Sequence, residues 1–324
     1  MAVPLLIDTD PGIDDALALL LAFASPEVSV EAITTVAGNV PVDRSTENVF
    51  RVLEAVEPAR LPAVARGAGA PLVRPLVAAG HVHGEDGLGD LDQFRNLDGS
   101  PRYPPVTVHL SSVDGPDLLL ESARRFAGEL VVVALGPLTN LAVALQRDRA
   151  SLASLRRVVV MGGAVATPGN VTAAAEFNFY VDPEAAARVL RADLPLELVP
   201  LDVTRQVVLT RSVLEARLDT CPVRLAQFVS DFTLKGFAFG ASVGDGGLTL
   251  HDPLALAVAL DSTLVTFESL HVEVECEGTL TRGMAVADRR PRSASKQRPP
   301  NCRVALSVDA ERFRSLFLRR LCPA

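Results

Sequence analysis

The sequence predicts an α/β fold built on a mostly parallel sheet. Short Val/Ile/Leu runs alternate with longer segments of helical period, polar or glycine-rich turns follow several of the runs, and the alternation changes character near the end of the chain. Apolar runs set between amphipathic segments are what βαβ units require, because such strands are buried on both faces. The first run, Val3–Ile7, precedes a helical pattern over Asp15–Ala24. Val28–Val36 leads into Val42–Glu57, where apolar residues recur at three- and four-residue spacing. Leu61–Ala65 and Val106–Leu110 are expected strands, and Pro116–Ala127 is a helix opened by proline, which suits a first turn. Leu130–Leu135 precedes the helix Leu138–Gln146, Arg157–Met161 precedes Pro183–Arg191, and Leu196–Leu201 ends the parallel series. Beyond it, Leu264–Glu277 and Thr279–Ala287 alternate about Gly278 like an antiparallel hairpin, before a last strand, Arg303–Val308, and a last helix, Ala310–Leu321.

The expectation is therefore one Rossmann-like domain over residues 1–324: a mostly parallel mixed sheet flanked by helices, with an antiparallel C-terminal hairpin. The Arg-, Ser- and Pro-rich stretch 289–301 is expected to be a mobile loop. The chain of 324 residues has 31 Lys+Arg against 39 Asp+Glu, a net charge of −8, which argues against a nucleic acid polymer as partner. With 48% hydrophobic and 22% charged residues, the composition is that of a chain that buries a core. The longest apolar run, Ala16–Ala24, is far short of the about 18 residues needed to span a bilayer, so no membrane association is expected. The N-terminus lacks a basic region before its apolar residues, so a cytoplasmic location is expected. Cys221, Cys276, Cys302 and Cys322 show no CxxC or Cys/His ligand spacing and are expected to be free thiols.

Chemistry gathers where the first strand ends. Asp8, Asp10, Asp14 and Asp15 fall within eight residues and run straight into a helix. A helix N-terminus stabilises one or two acids, by about 0.3–1 kcal/mol each, and does not account for four. A hard divalent cation held by oxygen ligands would relieve their repulsion. In doubly wound folds the site lies beyond the carboxyl ends of the strands. Other strand ends here carry Asn39, Gly136–Asn140, Gly162-Gly163 and Asp202, with Asn170, Glu176, Asn178, His251 and Asp252 farther along. Amides and carboxylates together suit a polyhydroxylated ligand, since hydroxyls both donate and accept. No Walker A motif or GxGxxG helix opening is present for a phosphate.

These residues resemble the inosine/uridine-type nucleoside hydrolases, calcium-dependent nucleoside N-ribohydrolases. The opening DTDPGIDDALA fits that family's DxDPGxDDAxA signature, and the likeness continues through ITTVAGN (Ile33–Asn39), GHVHGEDGLG (Gly80–Gly89), GPLTN (Gly136–Asn140), VVMGG (Val159–Gly163), Gly169–Asn178, DPEAA (Asp182–Ala186) and HDP (His251–Pro253). The resemblance implies Ca2+ held by Asp10, Asp15, Asp252 and the Leu135 carbonyl, a position where relatives often have Thr. It implies ribose contacts from Asp14, Asn39, Asn170, Glu176 and Asn178. It further implies hydrolysis of the N-glycosidic bond of ribonucleosides to ribose and free base, by a calcium-bound water that Asp10 deprotonates as general base. His251 matches the general acid used for purines.

His81 and His83 lie in a segment resembling a flap over the site, with His83 a candidate substrate contact. Thr233 and Phe237 fall where purine-accepting relatives carry base-contacting tyrosines. The resemblance also implies base salvage, and a homodimer or homotetramer. Two rivals remain at this stage. Asp8-Thr9-Asp10 begins the DxDx[TV] motif of haloacid-dehalogenase-type phosphatases, but Gly12 stands where Thr or Val belongs. A non-catalytic calcium-dependent ribose- or nucleoside-binding protein is the other, disfavoured by the presence of both Asp10 and His251.

Overall fold

The computed structural model describes residues 2–290 and 298–322. Its strands are β1 (Val3–Thr9), β2 (Val28–Thr35), β3 (Ala63–Arg66), β4 (Val131–Ala134), β5 (Arg157–Met161), β6 (Leu196–Val199), β7 (Val208–Leu209), β8 (Leu248–Thr249), β9 (Val265–Leu270), β10 (Val272–Val274), β11 (Ala285–Ala287) and β12 (Cys302–Val308). The helices are α1 (Ile13–Phe23), α2 (Val42–Val56), α3 (Gly80–His83), α4 (Gly115–Arg125), α5 (Thr139–Leu152), α6 (Phe177–Val181), α7 (Pro183–Leu190), α8 (Leu201–Thr204), α9 (Arg211–Leu218), α10 (Val223–Val243), α11 (His251–Leu260) and α12 (Ala310–Leu321).

The main sheet has the order β3-β2-β1-β4-β5-β6-β12-β9, parallel throughout except for β9, which runs antiparallel to β12. Residues alternate between its two faces: Leu5, Ile7, Val131 and Val133 enter one apolar core, and Leu6, Val132 and Ala134 the other. Strand order reverses between β1 and β4, so the crevice that a doubly wound sheet offers to ligands opens beyond Thr9 and Ala134. The pairing of Asp8 with Ala134 and the Leu135 N–H donated to the Asp8 carbonyl bring Asp10 and Leu135 to that crevice together. Helices α1 and α11 are apolar around nearly their whole circumference, pack against each other, and are buried for that reason.

The mostly parallel α/β sheet agrees with expectation, and several local readings are corrected. Val106–Leu110 is no strand: Pro104-Pro105 removes two donors just before it, and only Ser111 N–H reaches β3, at the Val64 carbonyl. The expected Leu264–Glu277 strand is divided at His271, with β9 joining the main sheet and β10 pairing with β11. Helix α10 lies outside the helical segments expected from the sequence, although its buried Phe228, Val229, Phe232 and Phe237 form an apolar stripe. Cys221 is disulfide-bonded to Cys322, against the free-thiol expectation, because folding brings their Cα atoms to 5.1 Å; Cys276 and Cys302 are free. Residues 291–297 of the expected mobile loop lie outside the described residues. Among the described residues no helix is long and apolar enough to cross a membrane.

Candidate active site

The floor of the crevice is built by the turn from β1 into α1. Asp8 is buried and accepts from Thr34 Oγ1 (2.5 Å) and Asn140 Nδ2 (2.6 Å), yet burial pushes its carboxyl up to about 6. Asp15 sits in the first turn of α1, where it accepts from Thr9 Oγ1 (2.5 Å), the Gly12 N–H (2.9 Å) and Asn39 Nδ2 (3.1 Å). Asp10 accepts the Asn39 N–H at Oδ2 (2.7 Å), while its Oδ1, fully buried, has no hydrogen-bond partner among the described residues. Gly38 and Gly136 leave room for this carboxylate: a Cβ at either would collide with an Asp10 oxygen.

The packing of α1 against α11 brings a third acid. Asp252, in the first turn of α11, meets Asp14 and Asp15 so that one carboxylate oxygen from each lies within 4.8 Å of the others. Like charges that close repel by roughly 3–4 kcal/mol per pair at an effective dielectric constant of about 20. The helix dipoles return only about 0.3–1 kcal/mol each, so repulsion wins unless a cation or protons intervene. Accordingly, burial and then the Asp15 charge push Asp10 well above the carboxylate range, and burial with the Asp14 and Asp15 charges does the same to Asp252. Asp14 is raised to about 7 by burial and by Asp15. The expected ligand set named Asp10, Asp15 and Asp252; the tight trio contains Asp14 instead, with Asp10 adjoining it through the shared Asn39. Hard oxygen donors, mutual repulsion and the unpartnered Asp10 oxygen together fit a divalent cation.

Above this floor opens a cavity of about 440 Å³. Asn39, Asn170, Glu176, Asn178 and the residue Leu135 all line it. Glu176 caps α6, accepting from the Asn178, Phe179 and Gly163 N–H groups, so the buried carboxylate ties the end of β5 to the cavity wall. Asn178 Nδ2 donates to the Leu135 carbonyl (2.6 Å) and the Met161 carbonyl (3.2 Å), joining the ends of β4 and β5. Asn170 Oδ1 accepts the Phe177 N–H (3.0 Å).

The far end of the cavity is made by α3, α8, α10 and the start of α11. His83 Nδ1 accepts the Ile13 N–H (3.1 Å), and burial lowers its ring to about 4. His251 lies against Thr204, with 2.7 Å between its Nδ1 and Oγ1; burial first, then the Arg205 charge, lower it to about 4. His81 meets Phe239 edge to face. Phe237, expected at the base, instead packs into the apolar core, and Phe239 lines the cavity. Two residues turn a helix by about 200°, so the two rings point to opposite sides of α10. Thr233 is likewise spent, donating to the Val229 carbonyl.

Two contributors escaped sequence reasoning. Arg205 grips the carbonyls of Pro168 and Gly169 (2.7 Å each), the stretch that delivers Asn170, and Thr204 supports His251. Their only sequence signal is position, just beyond the carboxyl end of β6. Asp202, seen from sequence as a polar strand end, accepts the Val165 and Ala166 N–H groups and anchors the same loop.

Fold and site together define an α/β enzyme whose cavity floor suits a hard metal cation. Residues 5–315 match the family described as inosine-uridine preferring nucleoside hydrolase. The pyrimidine-specific ribonucleoside hydrolase RihA of Salmonella arizonae is 38% identical over 323 residues, 99% of each chain. Among solved structures, a plant nucleoside hydrolase superposes with a TM-score of 0.89 at 32% identity over all of both chains. A purine-preferring ribonucleoside hydrolase from Gardnerella vaginalis gives 0.87 at 30% identity over 98% of each. The chain belongs to the inosine-uridine preferring nucleoside hydrolase family. It is a nucleoside N-ribohydrolase, a glycosidase acting on N-glycosyl compounds.

Proposed function

We propose that the protein hydrolyses the N-glycosidic bond of inosine- and uridine-type ribonucleosides in a Ca2+-dependent reaction with Asp10 as general base. The observation that carries this reading is the unpartnered, buried Oδ1 of Asp10 beside the Asp14–Asp15–Asp252 cluster, at the floor of a cavity walled by amides and a carboxylate. Asp10, Asp15, Asp252 and the Leu135 carbonyl would hold Ca2+, with Asp14 against the same group. Bound there, the ion supplies charge that acidifies the attacking water and fixes vicinal ribose hydroxyls. Asn39, Asn170, Glu176 and Asn178 orient the sugar over the acids. Oδ1 of Asp10 takes the proton of the water as its oxygen bonds to the anomeric carbon. The buried negative charge then opposes the positive charge that grows on the sugar. The departing base faces His251 and Phe239. The reading extends to base salvage in the cytoplasm by a homodimer or homotetramer on the strength of the family resemblance alone.

The test is ribose release from inosine and uridine, with and without chelator, beside phosphate release from p-nitrophenyl phosphate. Chelator-sensitive ribose release is expected. Phosphate release would overturn the reading in favour of a phosphatase, and tight nucleoside binding without product in favour of a sensor.

A further inference from the structure

We propose that Thr204 locks the His251 ring as its Nε2–H tautomer, making that nitrogen a standing hydrogen-bond donor to the departing base. Thr204 is completely buried, and its hydroxyl lies 2.7 Å from His251 Nδ1. A buried hydroxyl proton needs an acceptor. Among the described residues the Thr204 hydroxyl has no other partner, so its O–H donates to Nδ1. With that lone pair engaged, a neutral imidazole carries its proton on Nε2, the ring nitrogen left for the cavity that His251 lines. A protonated ring presents the same Nε2–H, with Nδ1–H then donating to the Thr204 oxygen. The donor therefore stands in either state, and only the neutral ring depends on the lock. The Ile13 amide does the same for His83, donating to Nδ1 at 3.1 Å, so two rings at the cavity wall are set by protein donors.

The position of the lock is secured by its chain neighbours. The Thr204 N–H donates to the Pro200 carbonyl, the Arg205 guanidinium grips Pro168 and Gly169, and the Asp202 carboxylate grips Val165 and Ala166. These bonds fix the backbone that carries the hydroxyl. As the glycosidic C–N bond breaks, its electron pair goes to the base. A fixed N–H accepted by that growing charge lowers the barrier without prior protonation, and the base takes its proton from water after departure. Thr204 is then a positioning residue acting through His251. The inference rests on the reading that the base sits at His251.

Two measurements test it. In protein with 15N-labelled histidine, the His251 ring, assigned by its loss in His251→Ala, should show in its neutral form a protonated Nε2 and a bare Nδ1; a neutral ring with its proton on Nδ1 overturns the proposal. The second is the ratio of kcat/KM for inosine or uridine to that for p-nitrophenyl β-D-ribofuranoside, whose phenolate leaves without a donor. His251→Ala should lower this ratio by about a hundredfold. Thr204→Val, matched in shape, should lower it by about tenfold, and Thr204→Ala should follow it if the valine variant does not fold. Thr204→Ser, which keeps the hydroxyl, should hold the wild-type ratio. A ratio moved by His251→Ala but not by loss of the Thr204 hydroxyl overturns the lock and leaves the base reading standing. A ratio indifferent to His251→Ala overturns both, and a wild-type protein that releases no ribose overturns the hydrolase reading itself.

Discussion

The two ends of the cavity are built in different ways. At the floor, Asp8, Asp10 and Asp15 come from one continuous turn, and Asp252 from the first turn of a helix packed against it; all are at most 4% exposed. Asp8 and Asp15 are each fixed by several donors, and Asn39 alone serves both Asp10 and Asp15. At the far end, His81 and His83 come from α3, Arg205 from the end of α8, Phe239 from α10 and His251 from the start of α11, and Val243 on the rim is 53% exposed. An over-determined floor leaves little room for variation, whereas a wall of single side chains can be altered one residue at a time. The chain matches relatives named as pyrimidine-specific and as purine-preferring over 98% or more of its length.

The largest effect is expected at the floor. Asp10→Ala should lower ribose release by at least about a thousandfold, since it removes a proposed ligand and the base together. Wild-type rates in that variant would strip Asp10 of both roles. Chelation should come next: ribose release should fall to background and return with Ca2+. Added Ca2+ should also raise the thermal midpoint of the chelated protein, because a ligand bound only by the folded state stabilises it and here relieves repulsion among buried carboxylates. An unchanged midpoint would mean that the cluster is held by protons instead of a cation.

Gly38→Ala should have a smaller but sharp effect. The added Cβ collides with Asp10 Oδ2, so the carboxylate must turn or the loop must shift, and kcat should drop by about tenfold or more while the fold survives. Equal activity would show that the floor is less rigid than its hydrogen bonds imply.

The same contrast explains what the sequence disclosed. The floor was legible because its acids are adjacent in the chain and too many for a helix cap, so their excess is visible before folding. The parallel strands were legible because a strand buried on both faces is a continuous apolar run, as in Val131–Ala134. Val106–Leu110 misled because β-branched residues describe a strand whether or not a neighbour is there to pair with it. The lock at Thr204 was hidden, since a threonine after a strand is unremarkable until folding sets it against a histidine 47 positions away. The Cys221–Cys322 pair, separated by 101 positions, was hidden for the same reason.

The finest test of the contrast lies on one helix. Phe237 and Phe239 are two positions apart on α10 and face different surroundings, the apolar core and the cavity. Phe237→Ala should cost about 3–5 kcal/mol of stability by opening a void in the core, with the inosine-to-uridine ratio of kcat/KM unchanged among folded molecules. Phe239→Ala should do the reverse, shifting that ratio a few-fold with little loss of stability, because its ring is partly exposed and meets His81 edge to face at the cavity wall. Chemical denaturation and a two-substrate assay read both effects. If Phe237→Ala shifts the ratio as much as Phe239→Ala, base preference is set by the packing of α10 as a whole, and the wall is not the sum of its single side chains.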